Sequence, residues 1–423
     1  MQAEASLSFR RKIWALTFFL AFAVCAFGQV ETVIYNFSGD HDGANPDCKL
    51  VADSTGNLYG TAPTAGNGEV FELSPPVTPG TTWTKKVLYK FRGSPNDGNL
   101  WPAATLVWDK EGNLYGETGY GGTNGSGTIF ELSPPTPPHT YWTEKVLYNF
   151  PASGNPGYPG GTLTWDGAGN LYGTAAGGVG DCSRTGCGTI FQLKKPVTPS
   201  GAWRGRVIYA FGAFAGDATI PVPGFMFRAG VLYGVSGSGG AYGNGALFTL
   251  SQINGVWSET ILHSFTTDEG AGATGYLVGD PAGNLYTSMG GGKFPPNGQI
   301  VMLSPPTSAG DPWQMMSIHS FHGNDGDVPS SVIRDKDGNL YGTAELGGLP
   351  YGGGTVFKLL PPSIAGGTWS ERTLYKFTGY SDPTGFDAWE PYVGVILVNG
   401  KGLFGTTHYG GTGYQGTVFN VVP

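Results

Sequence analysis

Acidic residues recur along this chain in one kind of setting. They stand in short turn-forming segments: Asp40-His41-Asp42-Gly43, Asn96-Asp97-Gly98-Asn99-Leu100-Trp101, Asn324-Asp325-Gly326-Asp327 and Asp387-Ala388-Trp389-Glu390. Carboxylates and amides beside tryptophan suit two chemistries. One is carbohydrate binding, with aromatic faces under sugar rings and carboxylates accepting from hydroxyls. The other is calcium, a hard cation that takes oxygen ligands. The candidate ligand-binding residues are Asp42, Asp97, Trp101, Asp325, Asp387 and Trp389. The bland alternative is that Asp-Gly and Asn-Asp-Gly form turns and that the tryptophans wedge between packed elements.

Catalytic and metal patterns are not present as such. A glycan hydrolase or lyase needs paired carboxyls roughly 5–10 Å apart, and sequence alone does not bring any two together. Asp335-Lys336-Asp337-Gly338-Asn339 has the look of a calcium loop but lacks the length and the distal Glu. The glycine runs are followed by neither Gly-Lys-Ser/Thr nor a helix, so they are not phosphate loops. His263 and His319 stand where tyrosine stands in equivalent segments and are expected to pack in its place. No catalytic residue, no metal ligand set and no cofactor is assigned, calcium being the one candidate.

These loops need a frame, and the frame is a repeat. A Leu-Tyr-Gly-like strand recurs at Leu58, Leu114, Leu171, Leu232, Leu285, Leu340 and Leu403, 53 to 63 residues apart. Each copy holds four strand-like runs. In the second they are 105–108, 114–118, 128–132 and 145–150. Four short strands joined by turn chemistry and repeated seven times predict an all-β, seven-bladed β-propeller with four antiparallel strands per blade. The fourth run carries the charges, among them Lys85, Lys86, Lys90, Glu144 and Lys145, so it is placed on the outer rim. The chain ends fit each other. Residues 31–37 form a fourth run with no blade before it, and 416–421 a third run with none after it. The N-terminal strand is therefore expected to close the last blade.

Composition agrees. The chain has 423 residues with 73 glycines, 31 prolines, 13% aromatic and only 13% charged residues. Such a chain forms strands and turns rather than helices. Arg10, Arg11 and Lys12 precede an apolar stretch, Ile13–Phe27, which reads as a signal peptide cleaved after Gly28. Residues 29–423 then form one propeller domain, secreted or periplasmic, of bacterial type. The net charge of −8 becomes −10 without the leader, which argues against nucleic acid and anionic membrane as partners. In an exported protein Cys182 and Cys187 are expected to form a local disulfide, leaving Cys48 as a buried small side chain. A monomer is expected, with an extracellular glycan as the candidate partner.

The unit Asp-x-x-Gly-Asn-Leu-Tyr-Gly, a glycine-rich loop, then Gly-Thr-Val/Ile-Phe resembles the GloVer family of extracellular tandem repeats. The match is carried by Asp109–Gly116 with Gly127–Pro135, by Asp335–Thr343 with Gly354–Leu359, and by Gly416–Phe419. The resemblance implies export from a bacterial cell and a repeat without a defined activity. Family members often carry C-terminal anchors, and this chain stops soon after its last strand, so none is expected. The resulting expectation is a non-enzymatic binding or scaffold propeller that uses one loop face, with an extracellular glycan hydrolase or lyase as the alternative.

Overall fold

The computed structural model describes residues 31–423 except 40, 65, 79–80, 101–103, 153–156, 179–181, 183–185, 199–200, 292–295, 309, 349–351, 365, 380–386 and 399. Seven antiparallel sheets follow one another in chain order around a ring, giving a seven-bladed β-propeller. The described residues include a 3-10 turn, Thr267–Glu269, and among them no helix is long and apolar enough to cross a membrane. Blade 1 shows the plan: Val51–Ala52 inside, then Leu58–Ala62, Glu69–Ser74 and, outermost, Thr84–Lys90.

The ring closes as the chain ends imply. Glu31–Asn36 pairs antiparallel with Thr417–Val421 and becomes the outer strand of blade 7. Phe37, fully buried, packs edge-on against Phe71 of blade 1. Thr406 of blade 7 donates to the Cys48 carbonyl of blade 1 at 3.0 Å. Trp83, from the loop before the blade 1 outer strand, covers Phe404 of blade 7. The same aromatic lid recurs around the ring, as Trp142 over Tyr59 and Trp203 over Tyr115.

The Leu-Tyr-Gly signature has a steric cause. A Cβ on Gly116 would lie 2.5 Å from Phe130 of the paired strand, and one on Gly405 2.5 Å from Phe419. Blade 5 departs from the signature at both places at once: Thr287 replaces the glycine and its partner Val301 replaces the phenylalanine. The volume is kept, as close packing requires.

The Asp-x-x-Gly-Asn turn is a closed hydrogen-bond cage. Asp53 Oδ1 accepts from the backbone N–H groups of Thr55, Gly56 and Asn57, and Oδ2 from Asn57 Nδ2 and Tyr59 Oη. Asp109, Asp166, Asp280 and Asp335 repeat it. Partial burial raises the Asp53 pKa, but the bonds from Thr55, Asn57 and Tyr59 outweigh it and hold the carboxyl below its ordinary range.

One expectation needs correction. Lys85 was placed with the rim charges on an exposed edge, yet its side chain is only 5% exposed. The outer strand alternates, so Lys86 faces solvent while Lys85 turns into the cleft toward blade 7. There it pairs with Glu69 at 2.6 Å and Asp42 at 3.0 Å, and its ammonium lies over the Phe37 ring.

Candidate functional site

The four acidic loop residues do not converge. Each locks the turn that leaves its own outer strand. Asp97, fully buried, accepts from Tyr89 Oη at 2.5 Å and from the backbone of Arg92 and Gly93. Asp42 takes Tyr35 Oη and Ser38, and Asp387 takes Thr378 and Tyr375 Oη. In blade 5, His319 Nε2 replaces the tyrosine hydroxyl and lies 3.0 Å from Asp325. His263 does the same with Glu269. These four carboxylates sit in four separate blade junctions. Trp101 lies outside the described residues. Cys182 and Cys187 are joined as a disulfide, and Cys48 is buried.

Trp389 leads to a different place. It is half-buried at the start of blade 7, where Ala388–Trp389 pairs with Tyr409–Gly410. Its ring lies 5.6 Å from Tyr409 and 6.3 Å from Tyr414. Tyr409, Tyr414 and the nearby Tyr392 are 38%, 52% and 41% exposed. Beside them His408 stands edge-on to Tyr409, 4.1 Å between centroids, and 5.3 Å from Tyr392.

His408 is held from both sides of the ring seam. Its Nδ1 is 2.6 Å from Asp47 Oδ2 and 2.7 Å from Oδ1, on blade 1. Its backbone N–H donates to Glu390 O, and its carbonyl accepts from Asn45. A carboxylate can only accept, so Nδ1 carries the hydrogen and Nε2 is the lone-pair nitrogen of the neutral ring. Glu345 of blade 6 completes the group. Partial burial and then the charge of Glu390 raise its pKa, against the opposing pull of Tyr392 and His408. Partial burial and the carboxylates of Glu345, Glu390 and Asp47 likewise raise Tyr392.

Position in the ring explains how these groups meet. Every second strand runs toward the same loop face, and the next inner strand starts there. At five such starts a non-glycine residue with positive φ precedes proline: Asn45, Tyr158, Ile220, Val328 and Glu390, φ 51 to 59°. Each sends its N–H to the preceding blade, as Asn45 does to Gln415 and Glu390 to Gly353. The prolines seat on glycines; a Cβ on Gly416 would meet Pro46 at 2.6 Å. This lock points the following residues at the channel mouth.

His408 and Glu345 occupy one register in blades 7 and 6, directly after the second strand core. Elsewhere that register holds Pro63, Gly119, Ala176, Gly237 and Gly290. Asp47 and Tyr392 share the register after the proline, where blades 3 and 4 hold Gly160 and Val222. A near-symmetric frame thus carries titratable groups at these registers in one sector, blades 6, 7 and 1. Deeper in the channel Tyr276 of blade 5 reaches across, with its hydroxyl accepting from Thr162 of blade 3 at 2.9 Å. Lys49 lies 5.7 Å from its ring, and burial lowers the Lys49 pKa to about 8.

Clefts also lie on the opposite face. One of about 700 Å³ between blades 3 and 4 is lined by Asp166, Tyr172, Gln192, Arg206 and Trp257. Its polar groups already bond one another: Gln192 joins Tyr172 and Arg206, and Asp166 sits in its turn cage. Among the described residues no cluster of three or more His, Cys, Asp or Glu side chains is arranged to hold a metal ion.

Residues 20–212 match the Gloeobacter/Verrucomicrobia repeat. That stretch of the chain is similar to this repeat family. No curated protein matches it by sequence. Similar solved structures include the PQQ-bound aldose sugar dehydrogenase of Streptomyces coelicolor, with 12% identity, 93% of this chain and 98% of that chain covered, and TM-score 0.44. Regucalcin, a calcium-binding protein of Agrobacterium tumefaciens, has 13% identity, 75% and 86% coverage and TM-score 0.43. A PL25 ulvan lyase has 11% identity, 92% and 95% coverage and TM-score 0.47.

Of the residues singled out from the sequence, Trp389 lies in the channel-mouth group. Sequence reasoning missed His408, Asp47, Glu345 and Tyr392. The available signal was the register: blades 2 to 5 hold Gly119, Ala176, Gly237 and Gly290 where blades 6 and 7 hold Glu345 and His408.

Proposed function

We propose that this protein is exported and binds carbohydrate at the channel mouth of blades 6, 7 and 1. The observation that carries the reading is the half-buried Trp389 with the exposed Tyr409, Tyr414 and Tyr392, set beside Asp47, Glu345, Glu390 and His408. Tyrosine and tryptophan faces give sugars apolar stacking at low entropic cost. Carboxylates and imidazole beside them can pair with hydroxyls.

The test is titration calorimetry of the chain lacking residues 1–28 against neutral and acidic polysaccharides, with a calcium arm. Binding of one glycan class, weakened about tenfold or more by Trp389→Ala, supports the reading. Equal affinity in that variant would place Trp389 among the packing residues. A response to calcium without any glycan would favour a metal-binding role instead.

A further inference from the structure

We propose that the same sector hydrolyses a glycosidic bond, with Glu345 as general acid and His408, positioned by Asp47, as general base. The inference rests on the carbohydrate reading above and adds a reaction to it.

Three observations support it. First, Glu345 and His408 stand at one register on adjacent blades, so both face the channel mouth from neighbouring strands of the ring. Both meet Tyr392, whose ring lies 5.3 Å from that of His408 and whose hydroxyl bonds Glu345. Second, the two groups are biased to opposite roles. Burial and Glu390 favour the protonated form of Glu345, while Asp47 fixes the hydrogen of His408 on Nδ1 and directs Nε2 away as an acceptor. A carboxyl held toward its protonated form beside an imidazole with a free acceptor nitrogen supplies the two partners that acid–base catalysis needs. Third, the His408–Asp47 pair spans the seam between blades 7 and 1, where an inter-blade contact needs no imidazole: the neighbouring seam contact from Asn45 to the His408 carbonyl is a simple amide bond.

In the step itself, the Glu345 carboxyl proton passes to the glycosidic oxygen as the bond from that oxygen to the anomeric carbon breaks. A water oxygen bonds to the anomeric carbon, and its proton passes to His408 Nε2. The leaving sugar departs as an alcohol, and solvent returns the proton from His408 to Glu345. Water is the sole co-reactant and no atom changes oxidation state in sum.

The experiment incubates the protein with xylan, laminarin, mannan and polygalacturonate from pH 4 to 9. New reducing ends are followed in parallel with binding by calorimetry. Wild type should cut the glycan that it binds, with a bell-shaped pH profile. Glu345→Gln and His408→Gln should lower kcat by roughly 10²–10⁴-fold, a larger factor than any loss of binding. Asp47→Asn should lower kcat and move the limb of the profile that reports the base, which a purely structural contact would not do. Binding without cleavage at any pH would overturn the hydrolysis and leave the carbohydrate reading standing. Cleavage undiminished in Glu345→Gln and His408→Gln would overturn the assignment of roles. Absence of both binding and cleavage would overturn both proposals.

Discussion

Asp217 and Glu259 share the hydroxyl of Tyr209, which lies 3.2 Å from Asp217 Oδ1 and 3.5 Å from Glu259 Oε2. The two carboxyls belong to adjacent blades: Asp217 locks the turn leaving blade 3 and Glu259 points inward from the outer strand of blade 4. The arrangement is repeated. Glu31 faces Asp387, Glu144 faces Asp97 and Glu371 faces Asp325. In blade 1 the same register holds Lys85, which makes an ion pair with Asp42 instead. Burial, then the neighbouring aspartate, raises Glu31 to about 8 and Glu144 to about 7, and raises Glu259 in the same way.

Stability should therefore fall as pH rises from about 5 to about 8. The unfolded chain releases these protons near the ordinary value of 4.5, whereas the fold keeps them until pH 7 or 8. In that window the folded state binds more protons, so each such carboxyl costs up to about 1.4 kcal/mol per pH unit. The turn aspartates act oppositely: Asp53 and Asp335 have lowered values, so their contribution is lost as pH falls below about 4. Thermal unfolding from pH 3 to 9 should peak near 4–5, and Glu144→Gln or Glu259→Gln should flatten the alkaline slope. A melting temperature that climbs steadily to pH 8 would contradict this.

Glu117 offers a stabilising substitution. It is 1% exposed, burial raises it to about 8, and neither carboxyl oxygen has a hydrogen-bond partner among the described residues. At its register blades 1 and 7 have Thr61 and Thr406, whose hydroxyls donate to the next blade's inner strand. Glu117→Thr should gain about 1–2 kcal/mol at pH 8 and less at pH 5. Denaturant unfolding at the two pH values measures it; equal loss at both would show that Glu117 fills space that threonine cannot.

Blade 5 supplies a double-mutant cycle. Val301→Phe alone should clash with Thr287 and destabilise by about 1–3 kcal/mol. Thr287→Gly alone leaves a gap. The double variant restores the pairing seen at Gly116 and Phe130 and should recover most of the loss. Strictly additive losses would mean that the two side chains do not share that space.

The ring seam should be essential. Phe37→Ala removes a fully buried ring wedged between blades 7 and 1 and should cost about 3–5 kcal/mol. Deleting residues 29–37 should unfold the last blade. A truncated protein that melts like wild type would rule out closure by the N-terminal strand.

The frame was readable in sequence because its rules are local and repeated seven times. A glycine opposite a phenylalanine, an aspartate caging its own turn, and an outer run missing at one end and present at the other each leave a mark at fixed spacing. The channel mouth left a weaker mark. Asp97 and Asp387 resemble site residues in composition, yet both serve turn geometry that any Asp-Gly segment could have. His408 and Asp47 are 361 positions apart in the chain and meet only because the first and last blades touch. Lys85 shows the same limit, since a two-residue period tells which faces alternate but not that the inward one holds a buried acid.

The central claim is that function sits in the sector of blades 6, 7 and 1, and the ring contains its own control. Tyr409 and Tyr120 occupy equivalent positions, each in a two-residue ribbon at the mouth and similarly exposed, at 38% and 44%. Glycan affinity measured for Tyr409→Ala and Tyr120→Ala beside wild type separates the sectors. The account predicts a loss of about tenfold or more for Tyr409→Ala and less than twofold for Tyr120→Ala. Equal losses, or a loss confined to Tyr120→Ala, would contradict it.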